Sequence, residues 1–303
     1  MGGAAGSARA VASSGVCLNT MKESTYLIIG AGSATGSCVA RTLAAEGARL
    51  VLAGRDPSKL EPLATSIGGR IVEADATRFE DVARSVDEAL AWTTRLDGVL
   101  NCAGSILLKP AHLTSAEELS HVLATNLVSA FATVRAAAAV MRKNGGSIVL
   151  MSSAAAMIGL PNHDAIAAAK AGIIGLMRSA AATYAAYGIR VNAVAPGLVD
   201  TPMSRSITSN ETSLNASIAM HPLGRIGTPE DVACAICWLL GPLSTWVTGQ
   251  AIGVDGGLAT LKARSRTSSN RCRDARFAGL RLQQAVVKVR AACEARRSWP
   301  PGE

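Results

Sequence analysis

Two hydrophobic patterns alternate along the chain. Short runs in which nearly every position is apolar occur at TYLIIG (25–30), ARLVLAG (48–54), GRIVEAD (69–75), DGVLNCAG (97–104), GSIVLMSS (146–153), IRVNAVAPG (189–197) and QAIGVDGG (250–257). Their length, β-branched content and lack of in–out alternation predict strands covered on both faces. Longer segments between them carry helical spacing, including 36–46, 78–91, 115–142, 165–187 and 229–240. Pro110 ends one loop, and Pro229 stands where a helix start tolerates a missing N–H. Strand–helix alternation at this spacing predicts right-handed βαβ units, hence an α/β fold with a doubly wound parallel sheet of about seven strands. No boundary divides residues 22–261, which read as a single domain.

Charge separates the two ends from this body. The chain has 30 Lys+Arg and 22 Asp+Glu, net +8. Residues 262–303 hold 11 of the basic and 3 of the acidic residues, which leaves 19 of each (30 − 11 and 22 − 3) in the rest. The body is neutral, and the excess belongs to an Arg- and Ser-rich tail expected to be disordered. Only Phe277 and Trp299 accompany the tail arginines, so base stacking on nucleic acid has little support. The first 21 residues, rich in Gly, Ala and Ser, read as a second disordered extension, with Met21 as an alternative start. The longest apolar stretch, Leu123 to Met141, is interrupted by Asn126 and Arg135 and reads as a buried helix, not a membrane span. The seven cysteines show no framework spacing, and Cys234-x-x-Cys237 lies inside the apolar run VACAICWLL, so no metal site is expected. Reduced thiols fit a cytoplasmic setting, with organelle import through the N-terminal extension left open.

The first strand runs directly into Gly30-Ala31-Gly32-Ser33-Ala34-Thr35-Gly36 and then a helix. Glycines at such a turn let backbone approach a pyrophosphate that sits on the helix N-terminus, as in Rossmann-type dinucleotide folds. The segment resembles the TGxxxGxG turn of the short-chain dehydrogenase/reductase family, with Ile29 for Thr and Ala34 for the middle Gly. Further matches follow in order: the strand end NCAG (101–104), Asn126 in TNL, Ser152-Ser153, Lys170, VNAVAPGLVDTPM, and the ending TGQAIGVDGG. The resemblance covers residues 22–261. It implies an NAD(P)(H)-dependent oxidoreductase that moves hydride to or from a carbonyl or alcohol of a small molecule. It also implies that Asp75 and Ala76 flank the adenine, that Asn101, Ala103, Gly104 and Lys170 line the cofactor, and that Pro196, Gly197 and Thr201 hold the carboxamide. Cofactor choice follows from charge. An acid at the end of the second strand would bond a ribose 2′-hydroxyl; here Gly54 is followed by Arg55, which favours NADP(H) over NAD(H).

The resemblance implies a reaction centre of Asn, Ser, Tyr and Lys, and the sequence supplies Asn126, Ser153 and Lys170. The tyrosine position, 13 residues after Ser153 and four before Lys170, is Ile166. Of three tyrosines, Tyr184 and Tyr187 fall four to six turns further along the same segment (roughly 27 Å or more), and Tyr26 opens the first strand. Isoleucine cannot donate a proton. Three readings remain open: carbonyl reduction with another acid, such as Ser153, Asp164, a water on Lys170, or His163; reduction of an enoyl-type C=C bond; and an NADP(H)-binding sensor or partner subunit with weak or no catalysis.

A substrate lid is expected between Pro202 and Gly224, with Met203, Ile207, Leu214, Ile218 and Met220 as apolar lining. Arg225, within PLGRIGTPEDVA, reads as structural. The Ala-rich segments 115–142 and 165–187 suit close helix packing, and the resemblance implies that they build a homodimer or homotetramer.

Overall fold

The structure, a computed structural model, describes residues 21–262. The N-terminal extension before Met21 and the basic tail after Lys262 lie outside the described residues, with their expected disorder. Seven strands form: β1 (Thr25–Ile29), β2 (Arg49–Gly54), β3 (Arg70–Glu73), β4 (Gly98–Asn101), β5 (Gly146–Met151), β6 (Ile189–Pro196) and β7 (Ala251–Val254). All pair in parallel, in the order β3-β2-β1-β4-β5-β6-β7. The register sets Ile28 beside Leu52 on one side and Leu100 on the other, and none of the three is exposed.

Among the described residues there are nine α-helices: α1 (Ala34–Ala45), α2 (Glu61–Ile67), α3 (Phe79–Thr93), α4 (Ala116–Leu123), α5 (Ser129–Met141), α6 (Asp164–Tyr184), α7 (Arg205–Thr208), α8 (Glu211–Met220) and α9 (Pro229–Leu240). One face of the sheet packs a cluster with Leu27, Val99, Ile148 and Val191 against α3, α5 and α6. The other packs Ile28, Leu52, Leu100 and Val149 against α1 and α9. Full burial of each large aliphatic contributes about 1.5–3 kcal/mol, which is why the strands carry no polar alternation. Met21, grouped with the leader on sequence grounds, is 5% exposed and belongs to the second cluster. Helix starts are built from short polar side chains. Thr228 and Asp231 form a capping box ahead of Pro229 in α9, and Ser115 and Glu118 form another for α4.

The segment read as one helix over 115–142 contains a π-helical turn, Ala124–Val128, between α4 and α5. Such widened turns are frequent at functional sites, and this one carries Asn126. The runs Ala116–Met141 and Asp164–Tyr187 are long and apolar enough to cross a membrane by length and hydropathy alone; half of each is buried inside the fold.

Candidate active site

The chain reverses its direction of sheet building between β1 and β4, and a cleft opens beyond the carboxyl ends of these strands, where doubly wound folds bind their ligands. Its floor is the glycine-rich turn. Gly30 has φ +79°, and a Cβ there would lie 2.8 Å from the Ala103 nitrogen; one on Gly36 would lie 2.8 Å from the Gly30 carbonyl oxygen. Both positions therefore exclude a side chain. Ser33 caps α1 by accepting the Gly36 N–H at 3.0 Å. The N–H groups of Ala34 and Thr35, at the cleft wall, have no acceptor among the described residues. Free amides plus the helix dipole suit a pyrophosphate.

The cleft has a volume of about 410 Å³ and brings together Gly32, Ser33, Ala34, Thr35, Ala103, Gly104, Ser153, Lys170, Pro196, Gly197 and Thr201 of the predicted set. Lys170, on α6, is buried, and its ammonium donates to the Met151 carbonyl oxygen at 2.8 Å. Burial pushes its pKa down to about 8, the nearby Cys102 opposing weakly. Ser152 donates to the Lys170 carbonyl oxygen at 2.9 Å, pinning α6 to the end of β5. Ser153 Oγ accepts the Ala155 N–H at 3.1 Å, which leaves its hydroxyl hydrogen for a ligand. Ile166 lines the same cleft, 4% exposed, and packs with Val122, Ala165 and Ala169. The tyrosine position is thus filled by apolar packing.

Asn101 and Asn126 do not line the cleft. Asn101, 2% exposed, donates to Thr133 Oγ1 at 2.8 Å and accepts the Ala103 N–H at 2.8 Å. It shapes the turn that presents Ala103 and Gly104. Asn126 donates to the Val122 carbonyl oxygen at 2.9 Å and grips Ser105 at both its N–H and its hydroxyl. Ser105, which the sequence reading passed over, is itself a cleft residue. His163 lies outside the cleft lining at the start of α6, where its Nδ1 donates to the Pro161 carbonyl oxygen at 2.7 Å. Gly30 and Gly36 lie beneath the lining, as the turn requires.

Arg55 stands at the end of β2 in an adjoining open hollow with Asp75 and Arg78. Asp56 is occupied elsewhere: it caps the turn Pro57–Lys59, accepts the Ser58 N–H at 3.2 Å and pairs with Lys59 at 3.0 Å. Asp75 accepts from Thr77 N–H at 2.9 Å and Thr77 Oγ1 at 2.8 Å. The Thr77 amide bond, with help from Arg55 and Arg78, holds its carboxyl below the usual range despite partial burial. The guanidiniums of Arg55 and Arg78 have no ion pair or hydrogen bond among the described residues, so the hollow presents two free guanidiniums together with the carboxylates of Glu73, Asp75, Asp81 and Glu88, of which Asp81 and Glu88 are paired with Arg84 and Arg70. Ala76 packs against the core next to them.

Beyond β6, Thr201 caps a short turn with Ser204, and α7 and α8 follow. Of the predicted lid residues only Met203 reaches the cleft, joined by Ile106, Leu198 and Val199. His221, at the end of α8 and 3% exposed, was also not anticipated. Its Nδ1 donates to the Ser217 carbonyl oxygen at 2.6 Å and its Nε2 accepts the Leu198 N–H at 3.2 Å, tying the lid to the loop after β6. A Cβ on Gly197 would lie 2.5 Å from that Nε2, so this glycine is needed for the histidine to fit. Arg225 forms a two-pronged pair with Asp231 at 2.6 and 2.9 Å, a structural role as expected. Among the described residues no group of three or more His, Cys, Asp or Glu is placed to hold a metal ion.

A family model described as enoyl-(acyl carrier protein) reductase matches residues 30–259. The chain is 34% identical over 253 residues to 2-(S)-hydroxypropyl-CoM dehydrogenase 3 of Xanthobacter autotrophicus, covering 80% of this chain and 99% of that protein. It is 35% identical over 230 residues to a protein of the same organism named inactive 2-(S)-hydroxypropyl-CoM dehydrogenase 2, covering 74% of this chain and 100% of the other. Among solved structures, a short-chain type dehydrogenase/reductase from Mycobacterium ulcerans superposes with a TM-score of 0.77 at 33% identity, over 81% of this chain and 93% of that one.

Proposed function

The chain belongs to the short-chain dehydrogenase/reductase family of nicotinamide-dependent oxidoreductases, and from that premise we propose that it is an active NADP(H)-dependent enzyme acting on a carbonyl or alcohol. The observation that carries the cofactor preference is the pair of unpartnered guanidiniums, Arg55 after β2 and Arg78 at the start of α3, that share one hollow. A 2′-phosphate there would meet two cations, and each charge-assisted bond is worth about 1.5–3 kcal/mol. A 2′-hydroxyl would meet Asp75, whose carboxylate is already engaged by Thr77, and would leave both guanidiniums without an anion.

The residues present fit the cofactor. The Gly30–Gly36 turn excludes side chains, and the free Ala34 and Thr35 amides suit the pyrophosphate. Lys170 would bond the nicotinamide ribose, and Pro196, Gly197 and Thr201 would hold the carboxamide. When bound, NADPH supplies the hydride. Ser153, its hydroxyl hydrogen unclaimed, polarises the substrate carbonyl. Ile106, Leu198, Val199 and Met203 line the apolar part of the cleft and favour a substrate with little charge.

A second reading is supported by Ile166 and by the description of the matching family model: reduction of an enoyl C=C bond, where no hydroxyl acid is needed at oxygen. Turnover of a dicarbonyl panel against an enoyl thioester panel with NADPH separates the two. Carbonyl turnover supports the first reading; turnover confined to enoyl substrates replaces it. For assembly, we propose a homodimer or homotetramer through α5 and α6, whose outer face is rich in alanine and exposes 51% of Phe131.

A further inference from the structure

The reaction needs a proton at the substrate oxygen, and Ile166 cannot give one. Among the cleft residues several candidate donors are otherwise engaged. Ser152 donates to Lys170 O, and Ser204 donates to Val199 O. Cys102 is held protonated, its thiol pushed up to about 12 by burial. Ser153 has a free hydroxyl hydrogen but, among the described residues, no hydrogen bond to a group that could refill it.

Ser105 differs in how it is held. Asn126 Oδ1 accepts the Ser105 N–H at 3.3 Å, and Asn126 Nδ2 donates to the Val122 carbonyl oxygen at 2.9 Å. These two backbone partners fix which end of the amide is which. The bond of 3.1 Å from Nδ2 to Ser105 Oγ therefore has the serine oxygen as acceptor. The hydroxyl hydrogen is left over, with no acceptor among the described residues, on a side chain that lines the cleft. The next residue back is Gly104. A Cβ there would lie 3.0 Å from Asn126 Oδ1 and 3.5 Å from Lys170 Nζ. Any side chain at 104 would occupy the space between the Asn126–Ser105 pair and the buried ammonium, and glycine keeps it open.

Building on the carbonyl-reductase reading, we propose that Ser105 delivers the proton to the substrate oxygen in place of the missing tyrosine, refilled by Lys170 across the gap that Gly104 leaves. In the reducing direction the substrate carbon gains a C–H bond from the hydride of NADPH and its C=O π bond breaks. The Ser105 O–H bond breaks as that oxygen takes the proton. An N–H bond of Lys170 breaks, directly or through one water, to restore the serine hydroxyl, and solvent reprotonates the amine. The nicotinamide is oxidised and the carbon reduced, so no further reductant is required. Asn126 is a positioning residue in this scheme, and the π-helical turn sets its side chain toward Ser105.

The test uses the full-length protein with NADPH and phenanthrenequinone, an activated dicarbonyl, alongside NADPH binding read by nicotinamide fluorescence. Ser105→Ala keeps its N–H for Asn126 Oδ1 and leaves Nδ2 bonded to Val122, so folding is preserved. It should lower kcat by about 10²-fold or more while NADPH affinity stays within about twofold. Ser105→Thr, which keeps the hydroxyl, should restore at least about a tenth of the rate. The wild-type rate should fall as pH rises through about 8, where Lys170 loses its proton, and the residual Ser105→Ala rate should lack that limb. Adding Ile166→Tyr to Ser105→Ala should bring the rate to that of Ile166→Tyr alone. The proposal is overturned if Ser105→Ala keeps kcat within about threefold, or if kcat and NADPH affinity fall together. A wild type that binds NADPH but does not turn over the quinone overturns the carbonyl-reductase reading itself, a result distinguishable from failure of Ser105 alone.

Discussion

Replacing Lys170 by methionine should make the fold more stable and the protein inactive. Lys170 is 8% exposed, and its ammonium donates to one carbonyl oxygen at 2.8 Å and faces no carboxylate within ion-pair distance among the described residues. Burial lowers its pKa from 10.5 to about 8. A displacement of that size means that the charged form destabilises the native state by about 3 kcal/mol. The pH dependence follows from the sign. Below pH 8 the amine is protonated in folded and unfolded chains alike, and the whole penalty is present. Between about 8 and 10.5 the folded protein releases the proton and the penalty fades; above that it is absent. Methionine fills similar volume without charge and gives up one hydrogen bond of about 1 kcal/mol. The net gain near pH 7 is about 2 kcal/mol, or about 4–8 °C in Tm for a domain of this size. Thermal unfolding by circular dichroism, wild type against Lys170→Met at pH 7 and pH 10, measures it. The gap should be positive at pH 7 and vanish or reverse at pH 10. A variant less stable than wild type at pH 7, or a gap independent of pH, would refute the assignment of Lys170 as a buried cation kept for function at a cost in stability.

Other substitutions probe separate parts of the site. Arg55→Ala and Arg78→Ala should each weaken NADPH binding by about 10- to 100-fold and leave NADH within about threefold, by titration of nicotinamide fluorescence; equal loss for both cofactors would remove the 2′-phosphate assignment. Gly36→Ala, whose Cβ would lie 2.8 Å from the Gly30 carbonyl oxygen and 2.9 Å from Ser33 Oγ, should abolish NADPH binding while the far-ultraviolet circular dichroism is retained; normal affinity would show that the turn is not the phosphate site. His221→Phe removes the acceptor of the Leu198 N–H and the donor to Ser217 O. It should raise KM for substrate several-fold more than it lowers kcat and speed protease cleavage in 202–220, and an unchanged KM would show that the clamp does not hold the lid.

The hydrophobic pattern alone located the seven strands to within a few residues, because the central ones, covered on both faces, are almost continuously apolar and even the edge strand β3 keeps Ile71 and Val72 between its charged ends. It missed α2, where Pro62 and two glycines interrupt the signal, and it missed α7 and α8, where the apolar residues are sparse and few reach the core. The π-helical turn was invisible, since Asn126 sits in a run whose spacing is equally good for an unbroken helix. At the site, the glycines were legible because backbone approach demands that one residue type, and Lys170 was legible through the family resemblance. Asn101 and Asn126 were assigned to the cleft, and the structure buries both behind it, bonded to the residues that form its wall. Ser105, Arg78 and His221 left no readable signal: their roles come from neighbours distant in sequence, Asn126 for the first, Arg55 for the second and Leu198 for the third. Ile106, Leu198 and Val199 line the cleft where Ile207 of α7 and Leu214, Ile218 and Met220 of α8 were expected.

The central claim is that the cleft at the β1–β4 switch point holds NADP(H) through Arg55, Arg78 and the Gly30–Gly36 turn. Titration of the full-length protein with NADPH and, separately, NADH, followed by nicotinamide fluorescence at physiological salt, tests it most directly. NADPH should bind at least about tenfold more tightly than NADH, a difference of about 1.4 kcal/mol. Binding of neither cofactor, or NADH binding as tightly as NADPH, would contradict it.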